Sequence, residues 1–167
     1  KNGISIILDG VFSHTGSNSI YFDAENVFGT GVISNRESEY TDWFEFQEYP
    51  HTYTSWWGIK TLPCTNELAA SYMDYIIYNE DSVIKHWLSL GADGFRLDVA
   101  DELPDKFISE LKKEMVSFKK DAFLIGEVWE DASNKFSHGG RRRYLLGGQL
   151  DSVMNYPFAN AILDFMR

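Results

Sequence analysis

At 167 residues and 44% hydrophobic content, the chain is long enough for one domain with a real core and too apolar to be disordered. A net charge of −10 argues against a nucleic-acid backbone as partner. No apolar run approaches the roughly 20 residues that a membrane helix needs. The single Cys64 excludes an intrachain disulfide and a cysteine zinc cluster. The chain opens on Lys1-Asn2-Gly3 and goes straight into an apolar stretch, without a signal peptide or N-terminal arm. It therefore reads as a piece of something longer, and its compartment is left open.

Residues 4–9, Ile-Ser-Ile-Ile-Leu-Asp, are nearly all apolar and end in an acid, the pattern of a strand buried on both faces. From 17 to 66 no helical or strand period survives. Fifty residues without one is far beyond an ordinary connection, so the stretch is expected to be a lid or a small inserted subdomain. Aromatic residues crowd it: Tyr40, Trp43, Phe44, Phe46, Tyr49, Tyr53, Trp56 and Trp57. They suit either a core or a wall for stacking sugar rings.

Residues 67–90 read as helix in two pieces, broken at Asn79-Glu80-Asp81-Ser82, with Ser82 as an N-cap. Val83, Ile84, Trp87, Leu88 and Leu90 give the second piece an apolar stripe. Gly91 follows as a helix-ending glycine. Phe95, Leu97 and Val99 then alternate with Arg96 and Asp98, so a second strand carries Arg96 and Asp98 on one side near its C-terminal end. Pro104 starts a helix with Phe107, Ile108, Leu111 and Met115 on one face. Residues 122–128 form a third buried strand that ends in Glu127, and a Gly-, Arg- and Ser-rich loop spans 131–149. Arg141-Arg142-Arg143 within that loop reads as a solvated run or a set of carboxylate partners. Residues 150–156 read as a fourth strand, and Pro157 to Arg167 as a final helix.

Helix-connected parallel strands predict an α/β fold. Four strands make half of a (β/α)₈ barrel, and no glycine-rich phosphate loop supports a small doubly wound sheet instead. Three strands deliver acids at their ends: Asp9, Asp98 and Glu127. Paired carboxylates point to glycoside hydrolysis, with one ionised as nucleophile and the other protonated as acid. Arg96 would keep Asp98 ionised, and the apolar neighbours of Glu127 would raise its pKa. His14 offers a neutral donor to a sugar hydroxyl. Trp129 borders either the sugar site or the core. Three strand-end acids could also hold Mg²⁺, but an arginine beside one of them favours hydrolysis.

Asp9-Gly10-Val11-Phe12-Ser13-His14 resembles the first signature of the α-amylase family of glycoside hydrolases. Gly94-Phe95-Arg96-Leu97-Asp98 resembles the second, and Gly126-Glu127-Val128-Trp129 the third. Trp56-Trp57-Gly58, Leu62-Pro63 and Asp151 through Phe158 are most similar to the neopullulanase, cyclomaltodextrinase and maltogenic amylase branch. The resemblance implies a partial TIM barrel, about strands three to six, from residues 1–16 and 67–167, with 17–66 as the inserted small subdomain. It implies Asp98 as nucleophile, Glu127 as acid/base, Arg96 as orienting partner of Asp98, Asp9 as support for Arg96, and His14 as a sugar ligand. The reaction would be retaining hydrolysis of α-1,4-glucosidic bonds in starch-type oligosaccharides or cyclodextrins, with α-1,6 bonds or transglycosylation as further outcomes. A non-catalytic carbohydrate-binding relative is the alternative.

No cofactor is implied. Ser13 stands where the family usually has an Asn that helps hold a structural calcium in many α-amylases, which argues against calcium here. The expected partner is an α-glucan oligosaccharide, with no nucleic acid or membrane. The exposed edges of a half barrel would invite self-association. A further signature, with a transition-state-stabilising Asp, belongs after the seventh strand and beyond Arg167, so the 167-residue chain alone is expected to be inactive.

Overall fold

The computed structural model describes residues 3–167. In chain order the elements are β1 (Ile7–Gly10), β2 (Phe46–Glu48), β3 (Thr52–Tyr53), α1 (Ala70–Met73), α2 (Val83–Ser89), β4 (Gly94–Leu97), α3 (Asp105–Phe118), β5 (Phe123–Gly126), β6 (Phe136–Ser137), β7 (Gly140–Arg141), β8 (Ser152–Val153) and α4 (Tyr156–Met166). A five-residue π-helical turn, Asp74–Tyr78, follows α1. Among the described residues no helix is long and apolar enough to cross a membrane. The chain divides into two compact units. One comprises the residues through Gly10 together with Ile76–Arg167, and the other Val11–Tyr75.

The first unit is built on a parallel four-stranded sheet in the order β1-β4-β5-β8. The register places Asp9 opposite Arg96, and Leu97 opposite Gly126. Neighbouring strands therefore end at one level and release their next residues on the same edge of the sheet. The close approach of β4 and β5 needs Gly94, since a Cβ there would overlap the carbonyl group of Phe123. Phe95, Leu97 and Leu124 are fully buried, as are Ile84 of α2 and Phe107, Ile108, Leu111 and Met115 of α3. The α3 spacing of one, three and four residues places its four on the single apolar face read from the sequence.

Several elements differ from expectation. The first strand begins at Ile7, not Ile4, and among the described residues it pairs only with β4. As an edge strand it leaves Ile4, Ile6 and Ile7 exposed instead of buried on both faces. The fourth strand shrinks to Ser152–Val153, because Asn155 already caps α4 by accepting the Phe158 N–H at 3.1 Å. In α2 only Ile84 and Leu88, four residues apart on one face, are buried; Trp87 and Leu90 flank them and are exposed. Ser82 does occupy the N-cap position, but its hydroxyl donates to the Ile77 carbonyl instead of capping the helix.

The second unit, Val11–Tyr75, packs around aromatic rings. Phe22 is fully buried, with ring centroids 4.7 Å from Tyr53 and 5.0 Å from Phe44. Trp43 lies 4.9 Å from Tyr72 and donates its indole N–H to Ser71 at 2.9 Å. Beside them Asp23 adopts a left-handed backbone, φ 58°. Its buried carboxylate accepts N–H groups of Val27, Phe28 and Gly29 and the Ser34 hydroxyl, at 2.7 to 3.2 Å. One carboxylate thus satisfies three successive amides, Val27 to Gly29, that lie outside any helix or strand. Trp43 and Phe44 are core, while Trp57 is 68% exposed and stacks on Trp56 at 5.1 Å.

Candidate active site

The strand ends of the first unit and the residues just beyond them bring five of the sequence-derived residues, Asp9, Arg96, Asp98, Glu127 and Trp129, into one network. Arg96 leaves β4 between Phe95 and Leu97, which point the other way into the core. Its Nη1 donates to Asp9 Oδ1 at 2.6 Å and to Asp98 Oδ1 at 2.7 Å. Its Nη2 pairs with Glu127 Oε2 at 2.8 Å. A single guanidinium thus gathers the acids of β1, β4 and β5, using the rigid fork that lysine lacks. Three carboxylates against one cation leave the cluster anionic.

Glu127 is the most enclosed of these acids, at 8% exposure. Its main chain continues the sheet pattern, donating N–H to Leu97 O at 2.9 Å and accepting the Ala100 N–H at 3.0 Å. Its side chain takes the Val99 N–H on Oε2 at 3.0 Å and the Tyr156 hydroxyl on Oε1 at 3.1 Å. The Trp129 side chain hydrogen-bonds it as well.

The expectation of a raised Glu127 pKa is corrected here. Burial does push it up, but the Val99 N–H, the Trp129 and Tyr156 hydrogen bonds and the Arg96 charge outweigh burial, and the net shift is downward. The sequence shows the apolar neighbours of Glu127 but not the donors that fold onto it. The same contacts act on their partners. Burial and the hydrogen bond to Glu127 raise the Tyr156 hydroxyl above its ordinary value.

Val99 was expected to extend the strand. Instead it turns left-handed, φ 39° and ψ 58°, and leads a short 3₁₀ turn over Ala100–Glu102. That conformation is costly for a β-branched residue. It aims two successive amides, Val99 and Ala100, at the side chain and main chain of Glu127.

Sequence reasoning missed what holds this turn. Arg142 is 2% exposed and donates through Nη2 to the carbonyls of Leu103 at 2.6 Å and Ala100 at 3.3 Å. Its Nη1 reaches Ser137 Oγ at 3.1 Å, its Nε lies 3.1 Å from Asp105 Oδ1, and its guanidinium lies 4.7 Å over the buried Tyr144 ring. The Tyr144 hydroxyl donates to Asp101 Oδ1 at 2.6 Å, and Lys135 pairs with Asp101 Oδ2 at 3.1 Å. Arg141 and Arg143 are exposed, so the arginine run divides into one buried clamp and two solvated neighbours. Only the alternation of Tyr144 with Arg142 hinted at it.

His14 belongs to the other unit. There its Nδ1 lies 3.0 Å from Ser13 Oγ, and its ring is 5.4 Å from that of Trp56. The buried Ser13 returns the chain toward Thr65, whose N–H bonds its carbonyl at 3.0 Å. Among the described residues no group of three or more His, Cys, Asp or Glu side chains is arranged to hold a metal ion.

A strand-end carboxylate beside a guanidinium suits nucleophilic attack, and the donors that ring the second carboxylate favour its ionised form, the form in which it takes up a proton as a base. The family model described as alpha amylase, catalytic domain, matches residues 1–167. An amylopullulanase of Thermoanaerobacter thermohydrosulfuricus is 37% identical over 186 residues, covering 98% of this chain and 12% of its own length. Neopullulanase 2 of Thermoactinomyces vulgaris is 35% identical over 169 residues, covering 99% of this chain and 26% of its own. Among solved structures, the cyclic α-maltosyl-(1→6)-maltose hydrolase of Arthrobacter globiformis, in complex with cyclic α-maltosyl-(1→6)-maltose, superposes with a TM-score of 0.79. It is 26% identical, with 98% of this chain and 34% of that one covered. The chain thus spans about an eighth to a quarter of the length of these two curated relatives.

Proposed function

The chain belongs to the α-amylase family of glycoside hydrolases, and from that premise we propose that it carries the nucleophile and the acid/base of a retaining α-glucosidic hydrolase. The observation that supports this most is the Arg96 guanidinium shared by Asp98 and Glu127. Asp98 supplies the attacking oxygen, forming a β-glycosyl ester at the anomeric carbon. Glu127 gives its proton to the departing glycosidic oxygen and then takes one from the water that releases the sugar. Arg96 orients Asp98, Asp9 anchors Arg96 from the neighbouring strand, and His14 and Trp129 contact the sugar. The substrates are α-1,4-linked starch oligosaccharides or cyclodextrins, with α-1,6 bonds or transfer to a sugar acceptor as further outcomes.

The parallel sheet is read as part of a (β/α)₈ barrel, about its strands three to six. The exposed Ile4 and Ile6 before β1, Ile7 within it, and the exposed Phe158, Leu163 and Phe165 of α4 support this, since a closed barrel would cover them. Exposed as they are, they give the isolated chain surfaces for self-association.

The test uses the full-length enzyme that carries this chain. Asp98→Asn and Glu127→Gln are each expected to lower turnover of maltooligosaccharides by at least about 10³-fold, while cyclodextrin binding by calorimetry persists. Unchanged turnover in either variant would overturn the assignment. Absence of turnover in the parent, with binding intact, would favour a carbohydrate-binding relative.

A further inference from the structure

The two oxygens of Glu127 are not equivalent. Oε2 faces the Val99 amide at 3.0 Å and Arg96 Nη2 at 2.8 Å. Both groups donate and neither accepts, so a proton on Oε2 would meet two N–H groups head on. Oε1 faces the Tyr156 hydroxyl at 3.1 Å, which can donate or accept. Trp129, a donor only, also bonds both Tyr156 and Glu127. Tyr156 is placed by the start of α4, whose first turn is fixed by Pro157 and by the Asn155 cap on the Phe158 amide. The hydroxyl therefore sits on a set backbone, half-buried against the carboxyl group.

We propose that Tyr156 is a positioning residue for proton transfer, which assigns the acidic proton to Glu127 Oε1 and stabilises that oxygen as the proton leaves. The inference rests on the reading of Glu127 as acid/base. When Asp98 bonds to the anomeric carbon, the glycosidic C–O bond breaks and its electron pair passes to the leaving oxygen. That oxygen takes the proton from Oε1, and the new charge on Oε1 meets the Tyr156 O–H. The donation strengthens Glu127 as an acid at the moment acidity is needed. The other charged groups facing this carboxyl group are Arg96 from β4, with Asp9 and Asp98 sharing its charge; the Val99 amide and Trp129 add neutral donors.

The experiment compares kcat/KM of the full-length enzyme for a maltooligosaccharide and for α-maltosyl fluoride, whose fluoride departs without a proton. Tyr156→Phe is expected to lose about 10-fold on the oligosaccharide and less than about 3-fold on the fluoride, the scale of one hydrogen bond to a charged group. The alkaline limb of kcat/KM should move to higher pH, because removing a donor from the carboxylate raises its pKa. A fluorinated tyrosine at position 156 keeps the shape but donates more strongly, and should move that limb down. Equal losses on both substrates, or no loss on either, would overturn the proposal, as would an unmoved limb in the fluorinated protein. Glu127→Gln in the same assay separates the two levels. Loss on the oligosaccharide with the fluoride reaction retained upholds Glu127 as the acid whatever Tyr156→Phe does, and retention of both refutes Glu127 and Tyr156 together.

Discussion

Arg142→Met removes the buried clamp while keeping a side chain of similar length. Met has no donor, so the carbonyl of Leu103 loses its 2.6 Å partner and that of Ala100 loses one at 3.3 Å. Ala100 O retains the Leu103 amide at 3.3 Å and the Tyr144 hydroxyl at 3.4 Å, so its loss is partial. A buried acceptor left unsatisfied costs about 1–3 kcal/mol, and the lost stacking on the buried Tyr144 ring adds about 2 kcal/mol. The total is about 3–5 kcal/mol, or about 6–20 °C in the melting temperature of a domain of roughly 150–250 residues. Arg142→Lys keeps the charge without the fork and should fall between. Thermal denaturation of the full-length enzyme followed by circular dichroism reads the loss. The loosened turn also carries the Val99 amide, so kcat/KM should drop about 10-fold in the folded variant, by about the 1.4 kcal/mol that such a factor represents. A melting point within about 1 °C of the parent would refute the reasoning, since the turn would then be held without its buried guanidinium.

Gly94→Ala should fail to give folded protein at any temperature, because its methyl group has no space against Phe123, and soluble yield with a circular dichroism spectrum checks it. Asp23→Ala should melt lower than Asp23→Asn, which keeps one acceptor oxygen and tolerates φ 58°; differential scanning calorimetry ranks them. Glu127 has a folded-state pKa below its ordinary value of 4.5, so its share of stability is present above about pH 4.5 and is lost as pH falls through the folded value. Urea titrations across that acid window should therefore show a shallower decline for Glu127→Gln than for the parent. The purified 167-residue chain should give no measurable release of reducing sugar from starch or cyclodextrin; turnover near that of the full-length enzyme would refute its reading as part of a larger barrel.

Asp9 and Glu127 were legible because each follows directly on an apolar run, and Asp98 because it alternates with Phe95, Leu97 and Val99. α3 was legible for a similar reason: its four buried positions repeat at helical spacing, and Pro104 marks its start. What resisted reading was long-range. Beyond the alternation of Arg142 with Tyr144, nothing local distinguishes Arg142 from Arg141 and Arg143; the return of the 131–149 loop to the Ala100 turn does. Val99 fits the alternation of Phe95 and Leu97, and tertiary hydrogen bonds overrode that periodicity. The same blindness reversed the sign for Glu127. Its neighbours in sequence are apolar, and its neighbours in space are donors.

The left-handed turn at Val99 has a consequence for protein engineering. Consecutive amides from the end of β4 grip both the carboxylate and the carbonyl of Glu127 at the end of β5. The spacing between the two carboxyl-bearing strand ends is therefore written into peptide geometry as well as into the Arg96 fork. A loop graft or recombination crossover that falls between residues 98 and 103 takes one half of that grip without the other. Chimeras within the family should retain function when segments 94–103 and 123–129 come from one parent, and lose it when they come from two, even at positions where the two parents carry the same carboxylates.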